Sequence, residues 1–296
     1  MSENVKIPAE EITRVKGLGF LIDKNTGNTF NGRVLTVNGR VTTDVMRAVA
    51  EAADLYGSGK VAMTTRQTFE IQGVPFENIE PLRAKLAESG LETGGTGPKV
   101  RPVVSCKGTT CQYGLIDTYG LSEKIHERFY KGMHDVKLPH KFKIAVGGCP
   151  NNCVKPELND VGIIGQRVVA IDLDKCRGCK NCQIEKACPI KLPVVQEGKI
   201  YVDAGACNHC GRCFGKCPFH AFDEAVTGYK ICIGGRWGKK TAQGRALGKL
   251  FETEEEVLDM IEKIILYFKE NGVAGERFAD TINRIGFEKV NADLIG

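Results

Sequence analysis

An α+β fold carrying an inserted, cysteine-rich unit is the architecture that this sequence predicts, on three observations. Period-two apolar runs alternate with helix-period runs between residues 30 and 95, the mixture of strand and helix that an α+β layer needs. Strand pattern is present before residue 174 and resumes at Tyr229–Ile233, and a self-contained unit tolerates insertion where its ends lie close together. Twelve of the thirteen cysteines fall into three sets of four, and the sets are of two kinds.

The first lobe is read as residues 1–95. Strand-like runs at Arg33–Val37, Lys60–Thr64 and Thr68–Gln72 flank a helix near Asp44–Leu55, with Thr43 or Asp44 as its N-cap. A second helix near Glu77–Ser89 stops at Gly90, a natural residue just past a helix end. Gly94-Gly95-Thr96-Gly97-Pro98 is a loop by composition and the lobe boundary. A second lobe is read as 96–173 together with 223–296. It holds a helix around Asp117–Tyr130, a strand at Lys141–Val146, and a hairpin of Val161–Ile164 and Val168–Leu173 across Gly165. In its last part Thr253-x-x-Glu256 is a capping box. Val257, Met260, Ile261, Ile264, Ile265 and Phe268 then keep helical spacing as a core stripe, and Gly272 ends the helix. The cysteine-rich unit is read as 174–222.

The chain has 296 residues, 42% of them hydrophobic, which fits two or three globular units. Its net charge of +5, from 41 Lys and Arg against 36 Asp and Glu, is far from a nucleic-acid-binding balance and compatible with small anions. The amino terminus is polar and acidic, with no basic n-region or apolar h-region, so no secretory signal is expected. No apolar run approaches the ~18 residues of a membrane span. So many cysteines without a signal argue for the reducing cytoplasm, with thiolates serving metal.

The run Cys207-x2-Cys210-x2-Cys213-x3-Cys217-Pro218 has the bacterial ferredoxin spacing; Cys176, Cys179 and Cys182 precede a longer gap before Cys188-Pro189. In two-cluster ferredoxins the fourth cysteine crosses to the other cluster. That pairs Cys176, Cys179 and Cys182 with Cys217, and Cys207, Cys210 and Cys213 with Cys188. Structural zinc also takes four thiolates, yet rarely three within seven residues before a Cys-Pro, and almost never twice. His209, inside a cluster loop, reads as a surface residue and is not needed as a ligand. The remaining set is two distant pairs, Cys106/Cys111 and Cys149/Cys153, which taken alone suit zinc, a cluster, or buried thiols. Just upstream, period-two geometry puts Lys141 and Lys143 on one face of a strand, with Phe142, Ile144 and Val146 on the other. Two such ammonium groups are either solvated or clamp an anion. Cys232, between Ile231 and Ile233, reads as a buried thiol.

Two further motifs fail. Gly-Arg-Trp-Gly-Lys-Lys at 235–240 has Ile233 where a phosphate loop needs glycine, and Lys240 where it needs Ser or Thr. No G-x-G-x-x-G opens a helix and no C-x-x-C-H is present, so electrons must come from a separate donor protein or subunit.

The stretches TTRQTFEIQG at 64–73, VRPVVSC at 100–106, LPHKFKIAVGGCPNNC at 138–153 and GGRWGKK at 234–240 resemble the siroheme-dependent sulfite and nitrite reductases. An inserted two-cluster ferredoxin domain points to the anaerobic, dissimilatory-type branch. The resemblance implies a ferredoxin-like small lobe, a siroheme and 4Fe–4S lobe, siroheme itself and three 4Fe–4S clusters. It implies that Cys106, Cys111, Cys149 and Cys153 hold one cluster and that Cys153 bridges to the siroheme iron. Arg33, Arg101, Lys141 and Lys143 would surround the oxyanion, while Arg66, Thr68, Arg236, Lys239 and Lys240 would hold siroheme. Eight carboxylates on siroheme require cations and backbone donors, to which arginine forks are suited. The family's larger members contain two such modules, so a second copy or a donor subunit would cover apolar surface left by one. The expected reaction is six-electron reduction of sulfite to sulfide. Nitrite reduction at the same site is the alternative, and a pure electron carrier is the rival from another class.

Overall fold

The computed structural model describes residues 7–296; residues 1–6, the start of the acidic amino terminus, lie outside the described residues. Two units are compact by themselves: the chain up to Ser105 with Ser122–Ile144 and Ile264–Ile285, and Cys106–Leu121 with Ala145–Lys263 and Gly286–Gly296.

In chain order the first unit opens with α1 (Ala9–Gly17), β1 (Phe20–Ile22), β2 (Thr29–Val34), α2 (Thr43–Tyr56), β3 (Val61–Met63), β4 (Phe69–Pro75) and α3 (Ile79–Glu88). The strands form an antiparallel sheet in the order β1-β2-β4-β3. Phe20, Phe30, Val34, Val49, Ile71, Leu82 and Leu86 fill its core. Along β2, Phe30, Gly32 and Val34 are buried while Thr29, Asn31 and Arg33 are half-buried, which turns Arg33 to the face away from that core. The strand ends at Val34, short of the expected Val37, because Leu35 N–H leaves the ladder for the Glu92 carbonyl at 2.8 Å. The α2 cap is Thr42, one residue before the expected pair. Its backbone is extended and its hydroxyl accepts from Val45 N–H, whereas Thr43 is already helical.

The chain continues through β5 (Val104–Ser105), α4 (Thr118–Ile125), β6 (Ile144–Gly147), β7 (Val161–Ala170), α5 (Gln183–Ala187), β8 (Val194–Gln196), β9 (Lys199–Tyr201), β10 (Glu224–Ile233), β11 (Arg245–Phe251), α6 (Glu254–Asn271), α7 (Phe278–Ile285) and α8 (Phe287–Ile295). In the second unit β11, β10, β7 and β6 lie side by side in that order. The hairpin expected across Gly165 does not form. β7 runs straight through it and pairs antiparallel with β10 from Val161↔Ile233 to Ala170↔Glu224. Gly165 is there for closeness, not for turning: a Cβ would stand 2.5 Å from the Gly148 carbonyl oxygen.

α6 starts on the expected capping box, with Glu256 N–H donating to Thr253 Oγ1 and Thr253 N–H to the Glu256 carboxylate, both at 3.2 Å. Val257, Ile261, Ile264, Ile265 and Phe268 are fully buried, each worth roughly 1.5–3 kcal/mol. Within the first unit Phe142 packs on Phe268 and Phe278, with ring centroids 5.2–5.8 Å apart. That aromatic trio fixes the segment bearing Lys141 and Lys143, and the α7 start beside Arg277.

Candidate functional site

The distant cysteine pairs meet in the second unit through contact between two glycines. Cys106 N–H donates to the Val146 carbonyl at 3.0 Å, which joins its loop to β6. Gly148 N–H then donates to Cys106 Sγ at 3.1 Å. A Cβ on Gly148 would lie 2.7 Å from Gly108 Cα, and one on Gly108 would lie 2.8 Å from Gly148 Cα, so both positions exclude side chains. Thr118 Oγ1 ties the loop down by donating to the Cys106 carbonyl at 2.7 Å. Asn152, at φ 53, turns the chain between Cys149 and Cys153. Burial is the main force raising the Cys106 and Cys149 thiols above their usual range. Cys106 is raised further by Cys153 and Cys111, and Cys149 by Cys106, Cys153 and Cys111. Four crowded sulfurs, of which Cys106 and Cys149 have amide donors, fit an iron–sulfur cluster.

The contiguous runs pack around Ile184, Ile200, Ala221 and Phe222, with Cys176, Cys182, Cys213 and Cys217 against that core. Ile200 N–H donates to Cys176 Sγ at 3.3 Å. Cys213 is pushed up to about 11, first by burial and then by Cys207, Cys210 and Cys188. Cys188 of the first run therefore stands with three thiolates of the second. These four line an apolar cavity of about 180 Å³. Among the described residues no three His, Cys, Asp or Glu side chains converge as ligands of a single metal ion. In a cluster each thiolate holds its own iron, so the sulfurs stand farther apart than around one zinc. His209 is half-buried, and its carbonyl accepts from Arg167 N–H at 2.8 Å, which docks the loop on β7.

The first unit gathers cations. Arg33 Nη1 donates to the Gly95 carbonyl at 3.2 Å, and Arg101 Nη1 donates to the same oxygen. Among the described residues neither guanidinium has a carboxylate partner, and Arg101 Nε is buried without a hydrogen bond. Burial, then repulsion from Arg33 and from Arg277, brings Arg101 down to about 10, so it stays charged at neutral pH. Lys141 and Lys143 are half-buried on either side of buried Phe142, the alternation expected of them, although the strand itself begins only at Ile144 and Phe142 makes an isolated bridge to Val100. His140 accepts Lys141 N–H at 2.7 Å. It is held below its usual range by burial and by Arg277, Lys141 and Arg101. Such a cluster, with an orphaned buried donor, suits an anion. Arg277 and His140 were missed by the sequence reading. His140 lies inside the LPHKFK stretch, whereas Arg277 had no signal beyond preceding a core phenylalanine.

The remaining residues are distributed as follows. Arg66 Nη2 donates to the Pro102 carbonyl at 2.7 Å, and buried Thr68 shares a 2.7 Å hydroxyl bond with Thr64. In the second unit Arg236 pairs with Ala242 at the base of a loop whose tip exposes Lys239 and Lys240. Cys232 is 1% exposed and is pushed up to about 11, chiefly by burial, as a buried thiol should be.

Residues 96–294 match the family model described as nitrite and sulphite reductase 4Fe–4S domain, and residues 22–89 match the nitrite/sulfite reductase ferredoxin-like half domain. A sulfite reductase of Methanocaldococcus jannaschii is 30% identical over 247 residues, 82% of this chain, which spans 38% of that protein's length. One component of the anaerobic sulfite reductase of Salmonella typhimurium is 28% identical, over 88% of this chain and 77% of its own. The crystal structure of dissimilatory sulfite reductase I shares the fold at a TM-score of 0.71, with 22% identity, over 90% of this chain and 68% of that one. Among the described residues no helix is long and apolar enough to cross a membrane.

Proposed function

The chain belongs to the nitrite and sulphite reductase family, and from that premise we propose that it reduces sulfite to sulfide. The observation that carries this reading is the gathering of Arg33, Arg101, Arg277 and Lys141, in which Arg101 Nε is buried without a partner; Lys143, two residues from Lys141, is proposed to join them. In this reading Cys106, Cys111, Cys149 and Cys153 hold a 4Fe–4S cluster, with Cys153 shared with siroheme. Arg66, Thr68, Arg236, Lys239 and Lys240 bind the siroheme carboxylates. The siroheme and its cluster, when bound, supply the electrons one at a time to the sulfur atom. The balanced change is SO3²⁻ + 6 e⁻ + 7 H⁺ → HS⁻ + 3 H2O. Arg33 and Arg101 neutralise the oxyanion. Lys141 and Lys143 present Nζ protons to the departing oxygens, where preorganised charge has most effect on the barrier.

We further propose residues 174–222 as an inserted ferredoxin domain with two 4Fe–4S clusters. Cys176, Cys179, Cys182 and Cys217 would hold one, and Cys188, Cys207, Cys210 and Cys213 the other. The 1–95 lobe and the 96–173 plus 223–296 lobe complete the arrangement. A separate donor protein supplies the electrons in the cytoplasm. The test is anaerobic turnover of the loaded protein with a viologen reductant, scoring sulfide from sulfite and ammonium from nitrite. Sulfide formation supports the reading. Ammonium alone would transfer the site to nitrite, and no turnover of either anion would leave an electron carrier.

A further inference from the structure

β7 meets all three thiolate neighbourhoods at successive positions on one strand. At Gly165 it lies against the Gly148 carbonyl, one residue before Cys149. At Arg167 it forms a parallel bridge with Cys210, and Arg167 N–H donates to the His209 carbonyl at 2.8 Å. At Val169 it packs on the core that carries Cys176, Cys182 and Cys217 together with Cys213, where the two contiguous runs meet. Residues of a strand two apart are separated by roughly 7 Å, so the strand brings the second run within one step of the Cys149 loop, and the first run joins it only at the next step. A second observation agrees. One cavity is lined both by Pro150 and Asn152, from the Cys149–Cys153 turn, and by Cys207, Asn208 and His209.

Arg167 adds a charge at the middle position. Its side chain would stand within 2.7 Å of a Cβ on Gly211, and its guanidinium lies 5.2 Å from the Phe214 ring centroid. It therefore covers the loop that holds Cys207, Cys210 and Cys213.

We propose that Cys188, Cys207, Cys210 and Cys213 form the inner of the two ferredoxin-type sets, adjoining the Cys106 set, and that Arg167 raises the reduction potential of what they hold. The Cys176 set is then the outer one, where an electron from a one-electron donor protein enters. Only an electron passes inward, with no bond made or broken. A cation beside a cluster favours its reduced, more negative state. The inference rests on the two-cluster reading above.

The test uses the full chain loaded with iron, sulfide and siroheme, reduced with dithionite and followed by electron paramagnetic resonance. Cys210→Ser should remove the relaxation enhancement that a neighbouring spin imposes on the Cys106-set cluster, and Cys179→Ser should leave it. The reverse pattern would overturn the order. Should either serine variant lose both ferredoxin-type clusters, Arg167→Ala and Arg167→Gln decide. Each should move one ferredoxin-type potential to more negative values and leave the other in place, with the moved signal the one coupled to the Cys106 set. No shift, or a shift of the uncoupled cluster, would sink the proposal. Wild-type protein that binds only the Cys106-set cluster would instead defeat the two-cluster reading beneath it.

Discussion

Three thiolates of the run Cys207-x2-Cys210-x2-Cys213 come from a single loop, whereas the Cys106 loop meets Gly148 from 42 positions away. Those three need only their own backbone turns, such as His209 and Gly211 in the left-handed region, and only the fourth, Cys188, comes from the other run. The split set needs β6 and β7 in place, and two glycines that let the Cys106 and Cys149 loops touch. Local spacing makes one site robust; backbone proximity makes the other fragile.

The sharpest way to break that contrast is Gly148→Ala. Its Cβ would meet backbone, so iron at the split set and siroheme should be lost and sulfite reduction abolished, while the ferredoxin-type signals persist. Iron and tetrapyrrole analysis checks this; retention of siroheme would show that the glycine contact is dispensable. Cys176→Ser or Cys207→Ser should do the opposite, sparing the siroheme band. Turnover with a protein donor should vanish, and turnover with a small artificial reductant should survive in part. Full activity with the protein donor would take the contiguous runs off the electron path.

Lys141→Ala with Lys143→Ala should leave cofactor content near normal and lower sulfite turnover by at least ~100-fold, the scale of losing preorganised charge at a transition state. Merely solvated lysines would change almost nothing, since exposed charges contribute at most ~1 kcal/mol. The smallest effect is expected at Glu276, away from both thiolate regions. Hydrogen bonding from Arg284, with Val273 N–H and Thr281, brings its carboxyl from 4.5 to about 2. Its stabilisation is present above pH 4.5 and is lost as pH falls toward 2. Glu276→Gln should cost about 1 kcal/mol at neutral pH and flatten the melting temperature across that acid window.

The same contrast explains what was legible. Helices α2, α3 and α6 were legible because their signals are local, although α2 is capped by Thr42, one residue before the expected pair. The grouping of the contiguous cysteines was legible for the same reason, since their spacing is local. Gly165 was misread as a turn because sequence shows that a side chain is missing, not whether backbone curves or another chain approaches. Arg277 escaped notice because its place beside Arg101 and His140 depends on the packing of Phe278 against Phe142 and Phe268.

The central claim is that one chain holds a siroheme-linked cluster and two ferredoxin-type clusters. Iron analysis with an absorption spectrum of anaerobically purified protein tests it most directly. About 13 iron atoms per chain, from three clusters of four and one siroheme, with a Soret-type band and a red band over broad cluster absorbance, is the predicted result. Iron near eight with no tetrapyrrole would contradict it and leave an electron carrier.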